Sequence, residues 1–186
     1  DVISAVVDTL QKYRISNIVV DPVMVATSGD KLLQEEAIET LISRMLPIAT
    51  VITPNLPEAE IILNRSITSR EEFIQAGRDL AQTGASSVLL KSGHFKSDEL
   101  IDIFYVAASD ELVEIPYTRV YTRNTHGTGC TLSSAIAARL ALGFSMKEAI
   151  KQGLDYTHES IREGSRYQLG HGHGPVHHFH KFWNKD

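Results

Sequence analysis

The chain has 186 residues, of which 42% are hydrophobic and 22% charged, a composition typical of a globular protein with a sizeable core. Its net charge of −5, without a basic cluster, argues against a nucleic-acid partner. The single cysteine excludes an internal disulfide, and no apolar stretch is long enough to span a membrane, so we expect a cytoplasmic protein with no membrane partner.

Helical patterns alternate with short apolar strands through the first half of the chain. An amphipathic helix pattern over 2–10 precedes a strand at 17–20. Apolar residues at helical spacing over 32–45, which Pro47 is expected to stop, precede a second strand at 50–53. Strands that are continuously apolar and alternate with helices predict a parallel sheet covered on both faces, and hence an α/β fold.

The pattern changes after a third helix and strand. A capping box from Ser69 to Glu72 predicts the start of that helix, Gly84 predicts its end, and a strand is expected at 87–90. Apolar runs then flank the turn residues at 109–110, which predicts a hairpin added to the sheet.

Two helices are expected to complete the fold. One follows Cys130, and the other begins at a capping box from Ser145 to Glu148. The tail from Gly170 is rich in glycine and histidine and is predicted to be a loop. No linker interrupts the sequence, so we expect residues 1–186 to form a single domain.

The run 124–131, Asn-Thr-His-Gly-Thr-Gly-Cys-Thr, is the most informative motif of the chain. Gly127 and Gly129 predict a tight turn into a helix whose free N–H groups and positive dipole end suit phosphate oxygens. A helix N-terminus also favours a thiolate, so Cys130 is a candidate base. The alternative is an ordinary loop followed by a buried cysteine.

Polar side chains follow each of the three predicted strands. Asp21 follows the first strand, Asn55 and Glu58 follow the second, and Lys91 follows the third. Ligands bind beyond the carboxyl ends of parallel strands, so we expect these groups and the glycine-containing run to lie at one sheet edge.

The chemistry of these groups favours phosphoryl transfer. The oxygens of Asp21, Asn55 and Glu58 suit Mg²⁺, and Lys91 would neutralise phosphate charge. Their structural alternatives are a turn residue before a proline for Asp21, a helix N-terminal acid for Glu58 and a solvated strand end for Lys91.

Three further groups have weaker assignments. The ring of His126 is placed to contact a nucleotide or substrate phosphate, so we include it among the nucleotide-binding candidates. His94 and Asp102 are candidates for supporting the site from behind.

Several motifs together resemble those of a known kinase family. Residues 124–130 look like the Asp-Thr-x-Gly-Ala-Gly-Asp signature of ribokinase-like small-molecule kinases, and 55–58 match their Asn-x-x-Glu magnesium motif. The stretches 21–29, 53–58, 126–131 and 170–179 are similar to the hydroxymethylpyrimidine/phosphomethylpyrimidine kinases of thiamine biosynthesis.

The resemblance implies a ribokinase-like three-layer α/β/α fold with a mostly parallel central sheet. It implies ATP-dependent phosphorylation of a small pyrimidine and of its monophosphate, with Mg²⁺, by a homodimer. Family members begin with a strand and a glycine-rich segment that this sequence lacks, so we expect the C-terminal portion of such a domain.

The resemblance also implies roles for individual residues. Gly127, Thr128 and Gly129 would form an anion hole, and Cys130 stands where most ribokinase-like enzymes have an aspartate base. Glu58 and Asn55 would organise Mg²⁺, while Lys91 and Asp21 would face the phosphates.

Three other functions stay open. A pyridoxal kinase shares the fold, the magnesium motif and the phosphate-binding turn. A catalytically inactive remnant would act as a subunit or interaction module. The third is a Zn²⁺ or Ni²⁺ site in the tail, formed by its five histidines: His171, His173, His177, His178 and His180.

Overall fold

The computed structural model describes residues 2–25 and 32–183. Residues 26–29, which contribute to one of the family-like motifs, lie outside the described part of the chain. The chain divides into two compact units, residues 1–118 and 119–186. Within the described residues, no helix has the length and apolar character needed to cross a membrane.

A five-stranded sheet organises the first unit, with its strands in chain order. The first three strands pair in parallel and the last two pairings are antiparallel. The predicted hairpin is therefore confirmed, and its turn places Asp110 in the left-handed region at φ 49°. The strands are β1 Val19–Val20, β2 Val51–Ile52, β3 Ser87–Leu90, β4 Glu99–Val106 and β5 Glu111–Thr118.

Among the described residues of the first unit, the sheet is accompanied by the α-helices α1 Val2–Lys12, α2 Glu35–Thr40, α3 Leu56–Leu63 and α4 Arg70–Ala81. The capping box of Ser69 and Glu72 opens α4 as predicted. A Cβ added to Gly77 would lie 2.9 Å from Ile103 Cγ2, because α4 packs tightly against β4. The apolar core that results holds the strand ends in fixed positions.

The helix predicted over 32–45 is wrong at both ends. Its α-helical part begins only at Glu35, and the chain then continues as a π-helical turn, Leu41–Met45, and a 3₁₀ turn, Leu46–Ile48. Pro47 therefore lies within helical backbone rather than ending it. Proline is tolerated in the first turn of a new helical segment, where its missing N–H needs no acceptor.

The second unit contains α5 Thr128–Ala141 and α6 Met146–Gly164. They pack closely, since a Cβ on Gly153 of α6 would lie 2.8 Å from Ile136 of α5. The capping box at Ser145 is confirmed. The helix expected after Cys130 begins two residues before it, so the cysteine lies inside the first turn of α5.

Candidate functional site

The ends of the three parallel strands bring polar side chains together in the first unit, as predicted. Asn55 and Lys91 form an isolated parallel bridge, and the Lys91 N–H donates to the carbonyl of Pro54 at 2.9 Å. The hydroxyl of the buried Thr53 donates to Asp21 Oδ1 at 2.9 Å. We call the group formed by Asp21, Thr53, Asn55, Glu58 and Lys91 the strand-end cluster.

An ion pair lies at the centre of the strand-end cluster. Lys91 Nζ donates to Asp21 Oδ1 at 3.0 Å, and the two side chains are only 17% and 12% exposed. A pair so shielded from water interacts more strongly than a surface pair, and loss of either partner leaves the other charge poorly solvated. The solvated strand end considered for Lys91 is therefore wrong.

Asn55 and Glu58 also cap α3. Asn55 Oδ1 accepts from the Glu58 N–H at 3.0 Å, and Glu58 Oε2 accepts from the Asn55 N–H at 2.8 Å. The helix-cap alternative for Glu58 is thus realised in the structure. Burial raises the pKa of Glu58, while the Asn55 N–H and the charge of Lys91 act in the opposite direction.

The donor set fits Mg²⁺ better than a metal that needs a complete protein cage. Two carboxylates, Asp21 and Glu58, and the amide of Asn55 supply hard oxygen atoms. The described part of the chain contains no group of three or more His, Cys, Asp or Glu residues able to hold a metal. Mg²⁺ typically takes one or two carboxylates and completes its shell with water and phosphate oxygens.

A buried carboxylate supports the end of β3 from behind. Asp102 on β4 accepts from the Ser92 N–H at 2.8 Å, from the Ser92 hydroxyl at 3.0 Å and from the Tyr117 hydroxyl. Ser92 directly follows Lys91, so these bonds fix the backbone that carries the lysine. His94, the other residue considered for a supporting role, is exposed.

Asp102 makes the stability of the protein depend on pH. Burial raises its pKa from 3.8 to about 6, partly offset by hydrogen bonds from Ser92 and Tyr117. A raised carboxyl pKa adds stability that is complete below pH 3.8 and is lost as the pH rises to about 6.

We expect Asp102→Asn to be about 1–3 kcal/mol more stable than the wild type at pH 7.5, because a neutral amide avoids the cost of a buried charge. The difference should shrink towards pH 4.5. Chemical denaturation at several pH values checks this, and a wild-type-like pH profile in the variant would contradict it.

In the second unit, residues 124–130 form a turn that we call the glycine turn. Gly127 is the N-cap of α5 and adopts φ 85°, a left-handed conformation that disfavours other residues. No acceptor is recorded, within the part of the chain that the structure describes, for the N–H groups of Gly129 and Cys130. Cys130 is exposed beside them. The N–H groups and the thiol lie at the start of one helix, and their role as an anion cradle stays a prediction.

Backbone contacts join the glycine turn to the tail. The His126 N–H donates to the Gly174 carbonyl at 3.0 Å, and the Val176 N–H donates to the His126 carbonyl at 3.2 Å. The ring of His126 is exposed, so it is free to meet a ligand. The side-chain amide of the buried Asn124 donates to the carbonyls of Gly164 and Tyr167.

Sequence reasoning missed the structural importance of this tail. Its described residues, 170–183, contain no regular helix or strand, but Val176 and His180 are 3% and 7% exposed. His177, His178 and His180 all make hydrogen bonds within the second unit, and the metal-site alternative has no supporting cluster in the described residues. The sequence signal that could have indicated an ordered tail was one apolar residue, Val176, beside these histidines.

The predicted site residues therefore form two sets. The strand-end cluster lies in the first unit, and His126, Gly127, Thr128, Gly129 and Cys130 lie together in the second. That both sets serve one active site stays a prediction.

Comparisons with known proteins agree on a kinase family. The sequence profile of phosphomethylpyrimidine kinase matches residues 1–177. The hydroxymethylpyrimidine/phosphomethylpyrimidine kinase of Rhizobium meliloti is 47% identical over 184 residues, covering 98% of this chain and 68% of that protein.

Two solved structures are also similar. Bacillus subtilis pyridoxal kinase in its ADP complex superimposes with a TM-score of 0.89 at 31% identity, over 99% of this chain and 68% of its own. Clostridium difficile phosphomethylpyrimidine kinase has a TM-score of 0.72 at 38% identity, over 86% and 63%. These likenesses confirm the ribokinase-like α/β fold.

Proposed function

The chain belongs to the phosphomethylpyrimidine kinase family, and from that premise we propose that it phosphorylates 4-amino-5-hydroxymethyl-2-methylpyrimidine and then its monophosphate, with ATP, in thiamine biosynthesis. The observation that carries the proposal is the glycine turn. It presents the N–H groups of Gly129 and Cys130, without acceptors among the described residues, beside an exposed thiol. That combination supplies both an anion hole and a base.

In the first phosphorylation, Cys130 acts on the hydroxymethyl group. As that oxygen forms its bond to the γ-phosphorus, the bond from phosphorus to the leaving oxygen of ADP breaks, and the hydroxyl proton passes to the sulfur of Cys130, which acts as the general base. The N–H groups of Gly129 and Cys130 at the start of α5 stabilise the charge on the transferring group, whereas the Thr128 N–H donates to the Thr125 carbonyl at 3.3 Å. In the second phosphorylation the acceptor is a phosphate oxygen, which needs no base when it is already ionised.

The strand-end cluster has groups of its own that suit a phosphate. Lys91 neutralises phosphate charge, and Asp21 holds its ammonium group in place through the 3.0 Å ion pair. Glu58, Asn55 and Asp21 would hold Mg²⁺ directly or through water. When bound, that ion screens the negative charge of the phosphates.

Pyridoxal phosphorylation is a second candidate activity. The similarity to the B. subtilis pyridoxal kinase, which covers 99% of this chain, favours it. The 47% identity to the R. meliloti pyrimidine kinase supports the pyrimidine as the first choice.

A coupled assay of ADP release tests both candidates. The purified protein is given ATP and Mg²⁺ with hydroxymethylpyrimidine, its monophosphate or pyridoxal in parallel. We expect turnover with both pyrimidines. Turnover with pyridoxal alone would support the second candidate, and no turnover with any of the three would favour the inactive remnant.

Glu58→Gln tests the Mg²⁺ assignment without disturbing the helix cap. Glutamine still accepts from the Asn55 N–H, so α3 keeps its capping box. We expect the Mg²⁺ concentration needed for half-maximal activity to rise about tenfold, because one carboxylate ligand is lost. An unchanged magnesium titration would count against the assignment, and Glu60→Gln on the same helix serves as a control.

We also propose that the protein acts in the cytoplasm as a homodimer, as the family resemblance implies. Light scattering of the purified protein measures the oligomeric state directly.

A further inference from the structure

The tail residues 174–180, which we call the tail strap, lie against the glycine turn. The strap makes hydrogen bonds to both backbone groups of His126. The Gly174 carbonyl accepts from the His126 N–H, and the Val176 N–H donates to the His126 carbonyl. His126 immediately precedes Gly127, the N-cap of α5. The strap therefore fixes the backbone at the point where the chain enters the anion cradle.

A side-chain relay makes a second connection. The Thr131 hydroxyl donates to the Gly127 carbonyl at 2.7 Å, and His178 Nε2 lies 2.9 Å from the same hydroxyl oxygen. A hydroxyl carries one hydrogen, and we assign that hydrogen to the Gly127 carbonyl and the donor role in this contact to His178 Nε2. These two hydrogen bonds, which we call the relay, connect His178 of the strap through Thr131 to the carbonyl of Gly127.

The strap is itself anchored on α6. The His177 N–H donates to the Ser160 carbonyl at 2.9 Å, and the Tyr156 hydroxyl donates to the His178 carbonyl at 2.8 Å. A Cβ on Gly164 would lie 3.1 Å from the His177 nitrogen, so strap and helix are in close contact. His178 is thus held in place by backbone contacts that do not depend on its ring.

We propose that the tail strap keeps the first turn of α5 in the conformation that binds phosphate. His178 is the residue of the strap that positions this turn. His178 acts through Thr131 and Gly127 rather than on the phosphate. Preorganised N–H donors stabilise phosphate charge only while their positions are fixed, so a loosened turn lowers kcat and weakens binding of the nucleotide phosphates, while the KM for the acceptor changes little. This inference rests on the proposed kinase activity for its rate measurement.

The test compares His178→Ala, His178→Gln and His171→Ala. Loss of the donor in His178→Ala should lower kcat by about threefold to tenfold, with KM for the acceptor changed by less than twofold. Glutamine supplies an N–H donor at similar reach and should restore most of the rate. His171 is an exposed tail histidine outside the strap, and its alanine variant should match the wild type.

A double-mutant cycle with Thr131→Val isolates the relay. If the two residues act in series, the double variant should lose no more rate than either single variant. A wild-type kcat in His178→Ala, a loss that glutamine does not restore, or fully additive losses would each overturn the proposal. Thermal unfolding of every variant identifies a loss that comes from misfolding.

Calorimetric titration with Mg²⁺ and ADP keeps this inference separate from the proposed function. If the wild type phosphorylates none of the three acceptors, the proposed function fails. The ADP affinity still measures how well the glycine turn binds phosphate. His178→Ala should then bind ADP about threefold to tenfold more weakly, with recovery in His178→Gln. Equal affinities would overturn the role of the strap.

Discussion

Cys130→Ala should lower turnover about 10²-fold or more while ADP still binds with nearly wild-type affinity. A positioned general base contributes about 10²–10⁴-fold to a proton-transfer step, and Cys130 is the only cysteine of the chain. The residue is exposed in the first turn of α5, where alanine is well tolerated. The backbone N–H groups that form the cradle are unchanged. The kinase assay and a calorimetric ADP titration measure the two effects.

Three further variants sharpen this prediction. Cys130→Ser keeps the shape but replaces the sulfur with a hydroxyl oxygen, so it should be nearly as slow as alanine. Cys130→Asp supplies the carboxylate that ribokinase-like signatures have at this position and should recover part of the rate. Ser134→Ala, an exposed position further along α5, should not change turnover. A wild-type rate in Cys130→Ala would remove the base assignment.

The strand-end cluster was predictable because parallel topology follows from local sequence. Each short apolar run ends in a polar residue, and parallel strands place those ends at the same edge. The ion pair of Asp21 with Lys91 could not be predicted, because the two residues are 70 positions apart and sequence does not give side-chain geometry. The hydrogen bond from Thr53 to Asp21 was missed for the same reason.

The glycine turn shows a different limit. Two glycines before a helical pattern are enough to predict an anion cradle, but the exact start of a helix depends on its cap. Gly127 takes that role in a left-handed conformation, which moves Cys130 into the first turn. The strap was missed because a segment rich in glycine and histidine indicates a flexible loop. The ordered conformation of the strap comes instead from its contacts with α6 and with His126.

Lys91→Met should lower turnover about 10²-fold and also destabilise the protein by about 2 kcal/mol. Removal of one preorganised charge that stabilises a transition state typically costs a factor of this size. The second effect arises because Asp21, whose side chain is 12% exposed, loses its cationic partner. Methionine keeps the apolar stem, so packing at the end of β3 changes little. The kinase assay and denaturant unfolding measure the two losses.

The double variant Lys91→Met/Asp21→Asn separates catalysis from stability. Asparagine still accepts from the Thr53 hydroxyl but carries no charge, so most of the lost stability should return while turnover stays low. Lys96→Met, at an exposed lysine of the following loop, should leave both properties unchanged. If the double variant regained both stability and turnover, the lysine would act only as a structural counter-ion to Asp21. A low rate in a fully stable double variant would instead mean that the charges of Lys91 and Asp21 are needed for catalysis and not only for stability.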